Sequence, residues 1–342
     1  QPNPMLRWEK AATTNFGIDY SLFNNKLRGS IDVYRKLNSD LLATTDLDPT
    51  VGANSRRINA GALVNRGVEF SLGSDWFNKN DFRISSNVNI GFNRTKVHKV
   101  TRAQGNASVY VTAPRDYFFE GETFNALYAY KYGGMVNGYP YVLDENGAPT
   151  LTFDANGNPL TTTVRSITNP AALVYMGSIT PTYSGSLSQR FSYKQIDLNM
   201  LFIFSGGNKM RKDVIDMSSD VLTDMAIAER YTTASPNGNT RLLVDFADNM
   251  RVNAGTISGL WRNSDVNVVD GDYVKLRNVS LSYNLPKSFA NKIAISSAKL
   301  TFQMNNIWYW SAAGDDIDPE VYSGSRSIPH PKTYLFGFNL TL

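Results

Sequence analysis

Few residues in this sequence could do chemistry. There are two histidines, His98 and His330, and no cysteine, so no thiolate ligand set or thiol nucleophile can be assembled, and neither imidazole has an acid–base partner close in sequence. Asp154-Ala155-Asn156-Gly157-Asn158 begins like a calcium loop, but its glycine is misplaced and no glutamate closes it at the required distance. A turn is the expectation. Asp315, Asp316, Asp318 and Glu320 could collect a cation, yet such a cluster is more often a solvated acidic loop. Tyr128, Tyr130, Tyr132, Tyr139, Tyr141 and Trp261 could stack on a sugar ring or a peptide side chain, or pack against one another within a loop, which is the commoner outcome. Arg83, Asn87 and Asn89 alternate along one polar strand face and could touch a solute. No acid, base and nucleophile converge, so the sequence predicts neither an enzyme nor a cofactor site.

The elements that would position these groups are strands. No run reaches the roughly 18 apolar residues a membrane helix needs. The mean hydropathy of -0.30 is also what a barrel averages to when its strands alternate lipid-facing and lumen-facing residues. The net charge of +4 is small, and the basic residues are scattered, so nucleic-acid binding has no footprint. No leader with a basic-then-apolar pattern opens the chain at Gln1, so an exported protein would have its beginning missing or removed.

Alternation is plainest at the end, where Tyr334, Phe336, Phe338, Leu340 and Leu342 share one face of an uncharged strand. A soluble protein would leave that edge open to aggregation, whereas a membrane barrel zips it to another strand. Similar strands are predicted at 15–22, 27–36, 68–73, 82–93, 182–191, 196–204, 272–284 and 300–308, with 124–134 kept inside a loop although it alternates. The phase slip between Leu276 and Val279 predicts a β-bulge near Arg277-Asn278. Trp76, Phe77, Tyr193, Phe289, Trp308 and Trp310 at strand ends suit interfacial girdles. A helix is expected over 212–230 and a turn over 235–240. Connections alternate short and long, as periplasmic turns and extracellular loops do. The nine strands are therefore expected to be part of a larger barrel, unstable as a lone monomer because both edges would be unpaired in lipid.

The residues Leu6-Arg7-Trp8-Glu9, Asn15-Phe16-Gly17-Ile18-Asp19, Gly29-Ser30-Ile31-Asp32-Val33-Tyr34, Asn65-Arg66-Gly67-Val68-Glu69, Asp270 to Asn278, Tyr283-Asn284-Leu285-Pro286, Asp318-Pro319-Glu320 and Tyr334-Leu335-Phe336-Gly337 fall in an order that resembles the C-terminal part of SusC/RagA-like TonB-dependent outer-membrane transporters. The resemblance implies that residues 1–342 are the C-terminal part of a plugged 22-stranded β-barrel in the outer membrane of a Gram-negative bacterium. It implies an upstream plug and early strands, contact with TonB through that missing part, a SusD-like surface lipoprotein as lid, surrounding outer-membrane lipid, and active uptake of an oligosaccharide or peptide. An acidic loop segment common in the family is reduced here to two Asn-Gly turns, and the chain ends on Leu342 where many relatives have Phe. Two other readings stay open: a passive or structural outer-membrane barrel, and a soluble β-rich glycan-binding protein motivated by the loop aromatics.

Overall fold

A computed structural model of the chain describes residues 3–48, 50, 52, 55–101, 105–160, 164–214, 251–290, 295–315, 317–322 and 327–341. In chain order the elements are β1 (Lys10–Leu22), β2 (Leu27–Asp46), β3 (Ser55–Lys79), β4 (Phe82–Val100), α1 (Ala107–Thr112), β5 (Ala126–Val136), β6 (Tyr139–Leu143) and β7 (Leu173–Ser178). They continue with β8 (Tyr183–Tyr193), β9 (Ile196–Gly206), β10 (Lys209–Arg211), α2 (Arg251–Arg262), β11 (Val268–Asp270), β12 (Tyr273–Asn284), α3 (Lys287–Ala290), β13 (Ser297–Ser311) and β14 (Thr333–Thr341). Nine of the strands form one sheet in the order β1-β2-β3-β4-β8-β9-β12-β13-β14. Each is antiparallel to its neighbours.

Period-two alternation makes the sheet two-faced. Phe16, Val33, Val68, Phe92 and Tyr183 lie directly opposite one another across β1, β2, β3, β4 and β8. On this apolar face Phe16 is 65% exposed and Phe336 on β14 is 83% exposed. So much uncovered apolar surface on one face, with polar residues on the other, is the pattern of a wall standing in lipid. At the end with short turns, the Phe82 ring lies 5.8 Å from Phe77 and 6.3 Å from Tyr193. Trp76, Phe77, Tyr193 and Phe289 are exposed at that end, and Trp308 and Trp310 at the opposite one, as two aromatic girdles would be.

The short turns follow from residues that tolerate positive φ. Asn80 and Asp81 adopt φ of 49° and 63° in a two-residue link whose twist matches the strands. Phe23, Asn24 and Asn25 do the same at 53°, 55° and 66°. The register shift between Leu276 and Asn278 occurs against both β9 and β13, which is the predicted bulge.

The strands are longer than their alternation. The sequence reads 37–64 as connection and ends the fourth strand near Asn93, whereas β2 runs to Asp46, β3 starts at Ser55 and β4 ends at Val100. Asp40, at φ 57°, lies within the register shift at Asn38/Leu41, a second shift follows at Leu41/Leu42, and another falls at Ala62/Leu63. Each bulge moves the side chains to the other face and erases the period-two signal. Of the helix expected over 212–230, only residues 212–214 are described, and these are not helical. The rest of that helix, the 235–240 turn and Leu342 lie outside the described residues.

The two faces give opposite expectations for one substitution. Ile90→Arg on the apolar face should destabilise the full-length protein in vesicles by about 2–4 kcal/mol, while Asn89→Arg should be near neutral. Urea unfolding followed by tryptophan fluorescence reads the difference, and equal costs would overturn the face assignment.

Candidate functional site

The polar face carries small hydroxyls and amides. Asn89 is opposite Ser71 and Ser186, and with Asp32, Glu69 and Ser184 they line an open trough of about 580 Å³. Nearer the long-loop end, Asn93 Nδ2 donates to the Tyr34 hydroxyl at 2.9 Å. Asn65 Nδ2 donates to Asn93 Oδ1 at 3.0 Å and to Thr95 Oγ1 at 2.9 Å. Gly67 must be small there, because a Cβ would fall 2.3 Å from the Tyr34 hydroxyl. Near the short-turn end Arg190 pairs with Asp197 at 2.7 Å. Arg83, Asn87 and Asn89 are on this polar face and exposed, so all three remain open to a solute.

Three long connections meet above this wall. β5, β6 and β7 form a separate sheet, and β10 pairs with β11. Arg211 on β10 donates to the carbonyls of Val111 at 3.0 Å and Tyr128 at 2.6 Å. Burial lowers the pKa of its guanidinium to about 10, still above neutral pH, so it keeps its charge. Asp265 Oδ1 accepts from the Tyr132 amide at 3.0 Å, and the Tyr322 hydroxyl accepts from the Asp213 amide at 2.5 Å. These bonds cross from one connection to the next and join them into one body.

The predicted aromatic residues build the core of that body. Tyr128, Tyr130, Tyr139 and Trp261 are 6%, 5%, 7% and 1% exposed, so as a solute-stacking surface they are corrected to packing residues. Alternation in β5 promises one exposed face, but α1 packs with Tyr128 and Tyr130 on one side, while α2 packs with Tyr139 through Ala254, Ile257 and Trp261. Tyr132 and Tyr141 remain half-buried at the margin of the second cluster. The observation behind the soluble glycan-binding reading is thereby lost.

A second correction concerns the acidic loop. Asp318 is buried, not solvated, and Lys275 Nζ lies 2.6 Å from its Oδ1 and 2.6 Å from Glu320 Oε2. Arg277 pairs with Glu320 as well and donates to Asn306 Oδ1 at 3.0 Å. His330 Nδ1 is 3.7 Å from Asp318 and 3.6 Å from Glu320, so three potential metal ligands converge. The Lys275 ammonium and the Arg277 guanidinium already balance the two carboxylates, which leaves no net negative charge for a metal ion to neutralise. Asp315 is tied through its carbonyl to the Tyr309 hydroxyl at 2.8 Å, and Asp316 lies outside the described residues. At Asp154, Oδ1 accepts the amides of Asn156 and Asn158, both at 2.8 Å, and Gly157 has φ +78°, which is the expected turn. Asp144 and Gly147 repeat it.

Sequence reasoning missed Lys275 and Arg277 as an ionic anchor. The available signal was two cations in a strand, at 275 and 277, with Asp318 and Glu320 following at the same spacing of two.

This antiparallel wall, apolar on one side and polar on the other, with tight turns at one end and a fused loop body at the other, is the architecture of an outer-membrane β-barrel segment. Residues 1–307 match the family described as TonB dependent receptor-like, beta-barrel. The chain belongs to that family, whose members are receptors and transporters of the Gram-negative outer membrane, not enzymes. It is 28% identical to TonB-dependent receptor P3 of Formosa agariphila over 99% of this chain and 34% of the relative. To TonB-dependent receptor SusC of Bacteroides thetaiotaomicron it is 28% identical over 99% of this chain and 32% of the relative. The chain thus spans about a third of the length of these relatives. The structure of the RagAB peptide transporter superposes with a TM-score of 0.75 at 22% identity, covering 99% of this chain and 36% of that one. The RagAB importer in its open-open state gives 0.72 at 20% identity over 99% and 35%. These superpositions show the fold.

The Lys275 anchor has a signed pH dependence. Burial raises the Asp318 and Glu320 carboxyls, but hydrogen bonds and charge from Lys275, with Arg277 added at Glu320, outweigh it and hold both below the ordinary carboxylate range. Their stabilisation is complete above that range and is lost as pH falls through the lowered values. Lys275→Met should loosen residues 317–322 by about 3–5 kcal/mol at neutral pH, since Asp318 would be buried without a cation. Part of that loss should return as acid neutralises Asp318. Hydrogen exchange of the segment at neutral and acid pH checks both signs.

Proposed function

We propose that this chain is the C-terminal barrel portion of an outer-membrane, TonB-dependent active importer that works as the barrel subunit of a SusCD-type complex. The remaining two thirds of the protein would supply the plug, the earlier strands that close the sheet, and the contact with TonB. A SusD-like surface lipoprotein would cover the outer mouth, and the cargo would be an oligosaccharide or a peptide. The observation that carries the reading is the polar wall with Asp32, Glu69, Asn87 and Asn89 on it. Its long-loop end carries a packed loop body, which we read as a roof over the outer mouth. A passive pore would need no such roof. The likeness to SusC and to the RagAB peptide transporter supports a large cargo without choosing between the two classes.

The test uses the full-length protein in its own host. Deletion should abolish energised uptake of either labelled oligosaccharides or labelled peptides, and re-expression should restore it. Mild-detergent purification should bring down one surface lipoprotein. Uptake that persists after the TonB system is inactivated would replace this reading with a passive barrel.

A further inference from the structure

A row of cations crosses the apolar face where the strands leave their alternating zone. Register sets Thr14, Arg35, Arg66 and Arg94 directly opposite one another on β1, β2, β3 and β4. Two residues along each strand, the same face carries Phe16, Val33, Val68 and Phe92. Lys96 extends the cationic patch on β4. All four cationic side chains are exposed, and none of them makes a side-chain hydrogen bond or an ion pair among the described residues.

Such a row is unfavourable by itself, because like charges directly opposite on neighbouring strands repel. One acid, Glu120, shares a hollow of about 730 Å³ with Arg35, Arg66, Arg94, Lys96 and His98. Its carboxylate is already engaged by the Val100 amide at 3.2 Å. One carboxylate does not balance four cations.

Height identifies what could. Arg94 is twelve residues along β4 from Phe82 in the short-turn girdle, about 40 Å of strand at ~3.3 Å per residue, and about 30 Å of vertical rise at a barrel's tilt. The apolar band of such a wall is about 25 Å tall. The arginines therefore stand at headgroup level in the leaflet facing the long loops. They also share an open groove of about 630 Å³ with Phe16, Val33, Val68 and Phe92, so cations line its upper part and apolar side chains its lower part.

We propose that the Arg35–Arg66–Arg94 row binds the phosphate of a phosphorylated lipid in the outward leaflet, with the lipid's acyl chains lying on the apolar strip below. Three adjacent guanidinium groups offer several donors to one phosphate, a geometry that lysine ammonium groups match less well. The site is on the opposite side of the wall from the polar trough and plays no part in cargo binding. This inference rests on the reading of the sheet as a barrel wall in the outer membrane.

The experiment compares full-length protein, purified from outer membranes in mild detergent, with the Arg35→Gln/Arg66→Gln/Arg94→Gln and Arg35→Lys/Arg66→Lys/Arg94→Lys variants. Native mass spectrometry counts retained phosphorylated lipid. Rebinding is then measured with intact lipid, phosphatase-treated lipid and inorganic phosphate alone. The wild type should retain the phosphorylated lipid, the glutamine variant should bind it about a hundredfold more weakly, and the lysine variant should fall between. Phosphatase treatment should weaken binding to the wild type by a similar factor, which decides the matter even if the glutamine variant fails to assemble. Equal retention by wild type and glutamine variant, indifference to the lipid phosphate, or inorganic phosphate binding as tightly as the lipid would overturn the proposal. Membrane-inserted protein without this preference would sink the lipid site alone, whereas protein that fractionates without detergent would sink the membrane reading with it.

Discussion

Backbone hydrogen bonding in lipid is the constraint on which this structure depends. The bilayer core has no water to satisfy an open N–H or C=O, so each strand must be paired along its length. The continuous ladder from β1 through β14 does this for the interior strands. Once pairing is compulsory, the two-residue period leaves one face for lipid and one for the lumen. The turns at the short end are then reduced to residues such as Asn80, Asp81 and Lys194 that accept positive φ. Some of the bulges fall where the constraint relaxes. Those at Asn38/Leu41 and Ala62/Leu63 are beyond the Arg35–Arg66–Arg94 row, on the side where water can reach the backbone.

The same boundary governs how each cation is handled. Lys275, on the lumen side of β12, is buried and must be neutralised from within the protein, which Asp318 and Glu320 do. Arg211 is half-buried in the loop body and directs its donors to two carbonyls instead. Burial lowers its affinity for the proton without removing the charge. Arg35, Arg66 and Arg94 face outward, where water or an external anion is available, and among the described residues no carboxylate pairs with them. Compensation thus follows the local dielectric: ion pairs where solvent is absent, dipoles where burial is partial, and outside partners at the lipid boundary.

How much of this is legible in the sequence follows from where the period-two rule is enforced. Within the apolar band every strand is forced to alternate, so nine strands and the bulge beside Asn278 can be read directly. Above the band nothing requires alternation. The outer extensions of β2, β3 and β4 therefore read as loop, and α1 and α2 carry no signal strong enough to place them. Tyr128 and Tyr130 mislead for a related reason. Alternation shows that a strand has two different faces, but it does not show that α1 from the same connection and α2 from the next one cover both. The Lys275 anchor is hidden because its partners lie more than forty residues away, and only the fold brings them together.

Burial of the loop aromatics changes where selectivity can reside. Tyr128, Tyr130, Tyr139 and Trp261 hold the roof together, so their rings cannot also be offered to a cargo without opening the core they form. On the proposed import reading, a solute would meet the margins of the roof, where Tyr132 and Tyr141 are half-buried, and then a wall of serine, asparagine and carboxylate side chains. Such a wall offers many weak, interchangeable hydrogen bonds and few apolar contacts. That chemistry suits passage better than tight capture, because a solute held by no single strong contact can move from one set of partners to the next. Strong recognition would then have to come from surfaces outside this chain, with this segment supplying a polar lining and a rigid support for the roof.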